Sequence, residues 1–397
     1  MGRAVRRRRE ASFPIGASAT LAELELDPHP LLARLREREP VSWLPALGSW
    51  LVTRRDLALE AMRDSAAFTV DDPRFSTGRV VGPSMLTLDG AEHGRHRDPF
   101  ARRFRLDEVR RRFTPLVEEE TERLIDAIEP DGEAELRSGY AGPLAATVAI
   151  HTLGLKGADG ATILGWYDAI VDSVTGVAAG RPVTPAGREA FAALRSSVEL
   201  TLDHGSGSSL VAAAASRARR LTRAEVASNV GVLMFGGIET TEGMIVNAIL
   251  HLLAHPEQRA LVDRDRESLP NAIEESLRLE PAAASIDRYA TRDVRLGEAS
   301  IGEGELVTIS IAGANRDPDH FPDPDRFDVR RENARHHLAF AGGPHVCIGM
   351  HLARLEAQTA IAGLFDRLAG LRLDPAHATA PRGLVFRKPP ALHVVWG

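Results

Sequence analysis

The segment HLAFAGGPHVCIGMHLARLEA, residues 337–357, sets Phe340, Gly343, His345, Cys347 and Gly349 in the order F-x-x-G-x-H-x-C-x-G. Cys347 is the only cysteine in the chain, which excludes an intramolecular disulfide and any multi-cysteine zinc or iron–sulfur site. A lone thiol has three remaining uses: nucleophile, small buried residue in a glycine-rich turn, or single metal ligand. The glycines permit a tight backbone, and the apolar positions Ile348, Leu352, Leu355 and Ile361 make the following stretch helical. A sulfur at a helix N-terminus faces free N–H groups and the positive end of the dipole, which favours thiolate over thiol. Such a thiolate donates strongly to a metal on one side. Five ordered positions around Cys347 favour that use over the other two, because a motif gains specificity with each fixed residue.

Three other clusters carry chemistry. In DGAEHGRHR, His93 and Arg97 stand four residues apart on an expected helix and so share a face. Together they suit a pair of carboxylates, although for such a pair alone a solvated charged face is the commoner explanation. In FGGIETTEG, Gly236 and Gly237 each cost roughly 1 kcal/mol in a helix interior relative to alanine. The two missing side chains open space that Thr240, one turn further on, can face; Thr241 is a weaker substitute. The alternative is a kinked helix with Glu239 pointing to solvent. In IEESLRLEP, Glu275 and Arg278 form an i,i+3 acid–base pair on a helix ended by Pro281.

The cysteine segment closely resembles the heme-ligand loop of the cytochrome P450 family, the heme-thiolate monooxygenases, and the other clusters follow over nearly the full length in that family's order. The resemblance implies that Cys347 is the proximal axial ligand of the iron of heme b (iron protoporphyrin IX), with Phe340, Gly343 and Gly349 shaping the cofactor loop. It implies that His93, Arg97, Arg288 and His345 meet the heme propionates, and that Thr240 hydrogen-bonds bound dioxygen while Glu239 organises proton delivery. Glu275 and Arg278 match the family's E-x-x-R pair, and Arg326 of PDRF (324–327) is expected to complete it as structural support. Many members carry glycine where this chain has Ala341, which bears on local packing more than on ligation. The substrate pocket is expected among 80–88, 160–205, 233–240 and 282–286, with Leu233, Gly236, Gly237 and Ile286 on its walls; those segments are mostly small or aliphatic.

The implied reaction inserts one oxygen atom of O2 into an apolar or aromatic small molecule, in natural-product tailoring or catabolism, the other oxygen leaving as water. The two electrons come from NAD(P)H through separate redox proteins, a ferredoxin and its reductase, since the chain has neither a flavin module nor the cysteines for an iron–sulfur cluster. Arg102, Arg103, Arg110, Arg111 and Arg112 form a candidate docking surface for an acidic carrier, or else an ordinary arginine-rich surface. Rival readings are a peroxide-using or oxidative-coupling heme-thiolate enzyme, a non-catalytic heme sensor or carrier, and, more remotely, a cysteine-dependent hydrolase.

The elements that must position these groups are mainly helical. Apolar periodicity predicts an amphipathic helix over 107–128 and a long proline-free one from 221 or 222 to about 255, a rod of roughly 50 Å. A minor β portion is expected in a hairpin, VSWLP and WLVTR (41–45 and 50–54), in VRLG and ELVTISI (294–297 and 305–311), and in a tail hairpin within LVFRKPPALHVVW. The expected architecture is therefore the P450 fold, a long central helix over the heme. DHGSGSS (203–209) reads as a turn between helices. A basic, solvated arm over 1–20 and a single catalytic domain over 21–397 complete the expected organisation.

Composition narrows the alternatives. With 397 residues, 44% hydrophobic and 26% charged, the chain has ample material for a core. A net charge of −6 argues against a general nucleic-acid binder. Of the 49 basic residues only Lys156 and Lys388 are lysines, a skew attributed to codon bias. No apolar run approaches the roughly 18 residues of a membrane span, and the arginine-rich N-terminus is not followed by the apolar stretch of an export signal. A cytoplasmic location is expected.

Overall fold

The computed structural model describes residues 9–178, 180–204, 210–211 and 221–397. Its backbone is mainly helical, with one principal sheet set to the side. That sheet has five strands in the order Val41–Leu44, Ser49–Val52, Leu306–Ser310, Ser285–Ala290 and Phe68–Thr69. The first pair is the expected hairpin, with Trp43 opposite Trp50. Ser49–Val52 pairs parallel with Leu306–Ser310, and the remaining pairings are antiparallel. Within the β-rich stretch 294–311, Val294–Leu296 turns back on Ala299–Ile301, while Leu306–Ser310 joins the large sheet. The expected tail hairpin shrinks to a single bridge between Arg382 and Lys388. Beyond it, His393–Val395 pairs with Glu133–Glu135 and Arg372–Leu373 from earlier in the chain.

The long helix spans Arg223–Ala254, a length of about 48 Å at 1.5 Å per residue. Its start is fixed by a capping box: Thr222 accepts from the Glu225 N–H, and the Glu225 side chain reaches back to the Thr222 N–H. Most of its residues are buried on all sides, from Val226 to Leu252, as expected for a rod through the middle of a helical core. The helices Gly142–Leu153, Pro185–His204, Leu269–Leu279 and Met350–Arg367 pack around it. Leu106–Ile128, the other helix expected from periodicity, lies against Met350–Arg367.

The described part of the N-terminal arm is not a solvated tail. Pro14–Ser18 is a helical turn whose free N–H groups at Ile15 and Gly16 are taken by the buried Glu39 carboxylate at 2.8 and 3.0 Å. Arg9 pairs with Glu305 at 2.6 Å and lies over the rings of Trp43 and Trp50. Apolar contacts with the sheet and a buried acid thus outweigh the solvation expected from the arginine run. Residues 1–8, which carry the rest of that run, and 205–209 of the expected turn lie outside the described residues.

Candidate active site

The cysteine loop is held by backbone geometry. Cys347 N–H donates to the Phe340 carbonyl at 2.8 Å, closing the loop on itself. Gly343 has φ +68, and a Cβ there would stand 2.5 Å from the Met62 carbonyl oxygen, so only glycine fits. Ala341 also sits in the left-handed region, at φ +58. Its departure from the family's glycine is therefore backbone strain rather than the packing question that the sequence suggested. The Phe340 ring takes the Arg354 guanidinium at 4.5 Å from its centroid.

Cys347 lies two residues before Gly349, the N-cap of the helix Met350–Arg367. Desolvation pushes its thiol pKa up, while the N–H groups of Gly349 and Met350 and the nearby Arg97 and Arg354 pull it down. Burial wins for the free thiol. A metal in place of the proton would reverse that balance, because it supplies the missing positive charge.

Around the loop the structure gathers the expected cations. Arg97 Nη2 donates to the carbonyl of Val346, next to Cys347, at 2.6 Å. The rings of His93 and His345 lie 4.4 Å apart. Arg288, 4% exposed, spends one donor on the neighbouring Asp287 carbonyl. Neither Arg97 nor Arg288 forms an ion pair among the described residues, and desolvation holds the pKa of both below the usual guanidinium range. His93 Nε2 is buried without a hydrogen-bond partner, and burial drops that imidazole to about 4. A buried guanidinium without an ion pair, a half-buried one beside it and an orphaned ring nitrogen are costly. A dianionic cofactor edge is what they lack, and the heme propionates fit.

His345 differs from the sequence reading in one respect: its Nε2 is bonded to Asp89 at 2.8 Å. Asp89 also accepts from the Thr69 hydroxyl and the Val70 N–H, and although burial raises its carboxyl, these bonds bring it down to about 2. Asp89 precedes the helix Gly90–Ala101 that carries His93 and Arg97, so it ties that helix to the cysteine loop. The sequence reading missed it, although it opens the same DGAEH motif.

On the long helix, Gly236 is exposed to open space: a Cβ placed there meets nothing within 4 Å. Gly237 would make only an ordinary contact with Ala149. Thr240 donates its hydroxyl to the Gly236 carbonyl at 2.7 Å, keeping it on that side. Leu233 and Ile286 are half-buried, as pocket walls would be. Glu239 does not join Thr240; its carboxylate is held by Tyr167 and Lys388, neither of which the sequence singled out.

The scaffold pair is fully buried: Glu275 and Arg278 are both 0% exposed and bonded at 2.7 and 2.9 Å. The third member is Arg331, whose Nε donates to Glu275 at 2.9 Å. Arg326, the expected one, is exposed and contributes only its carbonyl, to both Arg278 and Arg331. Asp323 at φ +48 turns the chain between Pro322 and Arg331, which brings the later arginine inward. One residue before Glu275, the buried Glu274 joins His337 and Arg354, fastening its helix to both ends of the cysteine segment.

The fold and site define a mainly helical protein with one thiol just before a helix that packs on the long helix, which carries a glycine opening. Comparison with known proteins agrees. A cytochrome P450 profile matches residues 204–377. The chain is 35% identical to cytochrome P450 monooxygenase PikC of Streptomyces venezuelae, over 88% of this chain and 85% of that protein. It is also 35% identical to nocardicin C N-oxygenase of Nocardia uniformis, over 97% and 98% of the two chains. Among solved structures, CalO2 superposes with a TM-score of 0.86 at 27% identity, covering 95% of this chain and 99% of that one. The chain belongs to the cytochrome P450 family. It is a P450 monooxygenase, and among its described residues no helix is long and apolar enough to cross a membrane.

Proposed function

We propose that this chain inserts one oxygen atom of O2 into an apolar or aromatic small molecule in natural-product tailoring, with Cys347 as the axial thiolate of heme b. The observation that supports this best is a pair of guanidinium groups without an ion pair among the described residues, half-buried Arg97 and buried Arg288, beside a loop whose only thiol is free. Bound at that thiolate, the heme would supply oxygen activation, because thiolate donation favours O–O cleavage. The protein's part is to hold and tune. Arg97, Arg288 and His93 neutralise the cofactor's carboxylates, and Asp89 orients His345 beside them.

Gly236 and Gly237 keep the helix wall open for substrate, and Thr240 stands at that opening as a hydroxyl that can turn from the Gly236 carbonyl to donate into that space. The aliphatic character of Leu233 and Ile286 selects against charged ligands. Relatives such as nocardicin C N-oxygenase oxidise the natural product in their name. Electrons are proposed to come from NAD(P)H through a ferredoxin reductase and a ferredoxin in the cytoplasm. The carrier's dock would be the face of Arg102, Arg103 and Arg110 at the start of the helix packed on the cysteine helix. Arg111 and Arg112 belong to it less, since both bond Glu108.

The reduced protein's absorption spectrum with carbon monoxide tests the core of this reading. A strongly red-shifted Soret band that is absent in Cys347→Ala is expected. The same unshifted band in both proteins refutes thiolate ligation.

A further inference from the structure

The principal sheet has two faces, and one of them is not accounted for by the heme. Side chains alternate along a strand, so Ile286 and Arg288 share the face of Val307 and Ile309, their partners in the neighbouring strand. Ser285 and Asp287 turn the other way, with Ser310 and Thr308 opposite them. Against this second face lies a cavity of about 130 Å³. Leu24, Leu32, Leu51 and Leu384 are among its walls, and it reaches the surface at the exposed Ala178 and Val385.

The charged group on the floor of the cavity is Asp287, which is half-buried. Its Oδ1 accepts from the Thr308 hydroxyl at 2.8 Å. Among the described residues its Oδ2 has no hydrogen bond and the carboxylate has no ion pair. Arg288, next in the chain, bonds the Asp287 carbonyl instead. Arg387, on the cavity wall, is committed elsewhere: its Nε meets Glu280 at 2.7 Å, and its two terminal nitrogens bond the carbonyls of Gly383 and Pro381. Burial accordingly raises the Asp287 carboxyl above its ordinary range, against the bond from Thr308.

A carboxylate set among leucines with one oxygen free lacks a cation. A metal ion would find one carboxylate and a few hydroxyls there, too few oxygen donors, and would leave the aliphatic walls unused. An organic cation uses both, with its charge on Asp287 and its carbon on the leucines. The mouth favours the same ligand. The helix Leu21–Leu26, which supplies Leu24, and its C-cap Asp27 present Glu23, Glu25 and Asp27 to solvent, while Leu26 and Val385 are exposed apolar surface.

We propose that this cavity is a binding site for a small organic ammonium ion, on the opposite face of the sheet from the heme, with the charged nitrogen against Asp287 and its alkyl groups against Leu24, Leu32 and Leu384. A cavity of this volume holds a group of about benzene size. A trimethylammonium head therefore fills it, and a longer substituent leaves past Val385. The site stands independently of the monooxygenase reading, because no step of that reaction enters it.

Calorimetric titration of the heme-loaded protein with butyltrimethylammonium tests the site. Neohexyl alcohol is the control, since it keeps the branched head and lacks the charge. A quaternary nitrogen has no lone pair, so the probe cannot ligate iron. The wild type should bind the cation more tightly than the alcohol. Asp287→Asn still accepts from Thr308 and should weaken the cation about tenfold while leaving the alcohol unchanged. Ser285→Leu fills the cavity from the same face and should abolish binding of both. The Soret band should not move during the titration. Equal affinities of the wild type for cation and alcohol, or cation binding undiminished in Asp287→Asn, overturn the site. So does a Soret shift with the same midpoint as the heat, which puts the probe beside the iron. Should Asp287→Asn fail to fold, the wild-type preference for cation over alcohol and its loss in Ser285→Leu decide. Loss of monooxygenase activity with every reductant would sink the proposed reaction and leave these titrations unaffected.

Discussion

Replacing Arg331 with methionine should destabilise the protein far more than the same change at Arg326. Arg331 is 9% exposed; its Nε donates to Glu275, its Nη1 to the Pro322 carbonyl, and its Nη2 to the carbonyls of Asp323 and Arg326. Removing one partner of a buried ion pair costs roughly 3–5 kcal/mol. Glu275 keeps both bonds from Arg278 and one from the Asp328 N–H, which argues for the lower end of that range. The three carbonyls add about 1 kcal/mol each where water does not replace the lost donor, and Asp323 and Arg326 are exposed enough for water to reach. The net expectation is about 3 kcal/mol. Arg326→Met leaves its carbonyl in place and removes an exposed side chain, so its effect should stay within about 0.5 kcal/mol. Urea unfolding of both variants and wild type, followed by far-ultraviolet circular dichroism at matched heme content, reads the difference. Equal midpoints for the two variants would refute the reasoning, as would an Arg331→Met midpoint indistinguishable from wild type.

Other outcomes follow from single contacts. Ala341→Gly relieves a left-handed alanine and should stabilise the cysteine loop by up to about 1 kcal/mol, seen as slower heme loss on heating; faster loss contradicts the strain. Gly243→Ala drives a Cβ to 2.9 Å from Ala282 Cβ and should cost about 1–3 kcal/mol. Gly236→Ala meets open space and should gain up to about 1 kcal/mol in helix propensity, so unfolding midpoints moving the same way in both variants would count against the opening. Burial raises the Glu274 carboxyl, but the bonds from Arg354 and His337 bring it down to about 2, against 4.5 unperturbed. A depressed carboxyl gives stability that is present above the unfolded value and lost as pH falls from about 4.5 to 2, here roughly 3 kcal/mol. Glu274→Gln should therefore be less stable at neutral pH and show a flatter acid limb. An unchanged pH slope would exclude Glu274 as its source.

What the sequence made legible was whatever is encoded within one element. The cysteine loop, the His93–Arg97 face, the Glu275–Arg278 pair and the long capped helix each depend on residues fewer than a dozen positions apart, and helical period or turn chemistry fixes them locally. The misses are tertiary. Arg326 stands in the motif that resembles the family's, but the turn at Asp323 decides which arginine reaches Glu275. Tyr167 and Lys388 approach Glu239 from elements far away in both directions, with no shared periodicity to link them. The tail's β-rich residues found partners at 133–135 and 372–373 instead of each other. Even so, a rare lysine in an arginine chain, and glutamates at 239 and 242 on one helix, were visible signals of the cluster. Codon bias explains why lysine is scarce, not why one of the two is buried between acids.

Helix geometry also explains why Glu239 and Thr240 do not meet. Successive residues are rotated by about 100° around an α-helix. Gly236 and Thr240, four apart, therefore share one face, and Glu239 and Glu242, three apart, share another. Glu239 and Thr240 are sequence neighbours whose side chains leave the rod in different directions, one toward the glycine opening and the other toward Tyr167 and Lys388. A carboxylate fixed on the Thr240 face would sit in the apolar opening at a desolvation cost and compete with substrate for the space. On the neighbouring face it is bonded by a phenol and an ammonium instead. The adjacency of Glu239 and Thr240 in sequence thus puts the two side chains in two separate environments rather than in one site.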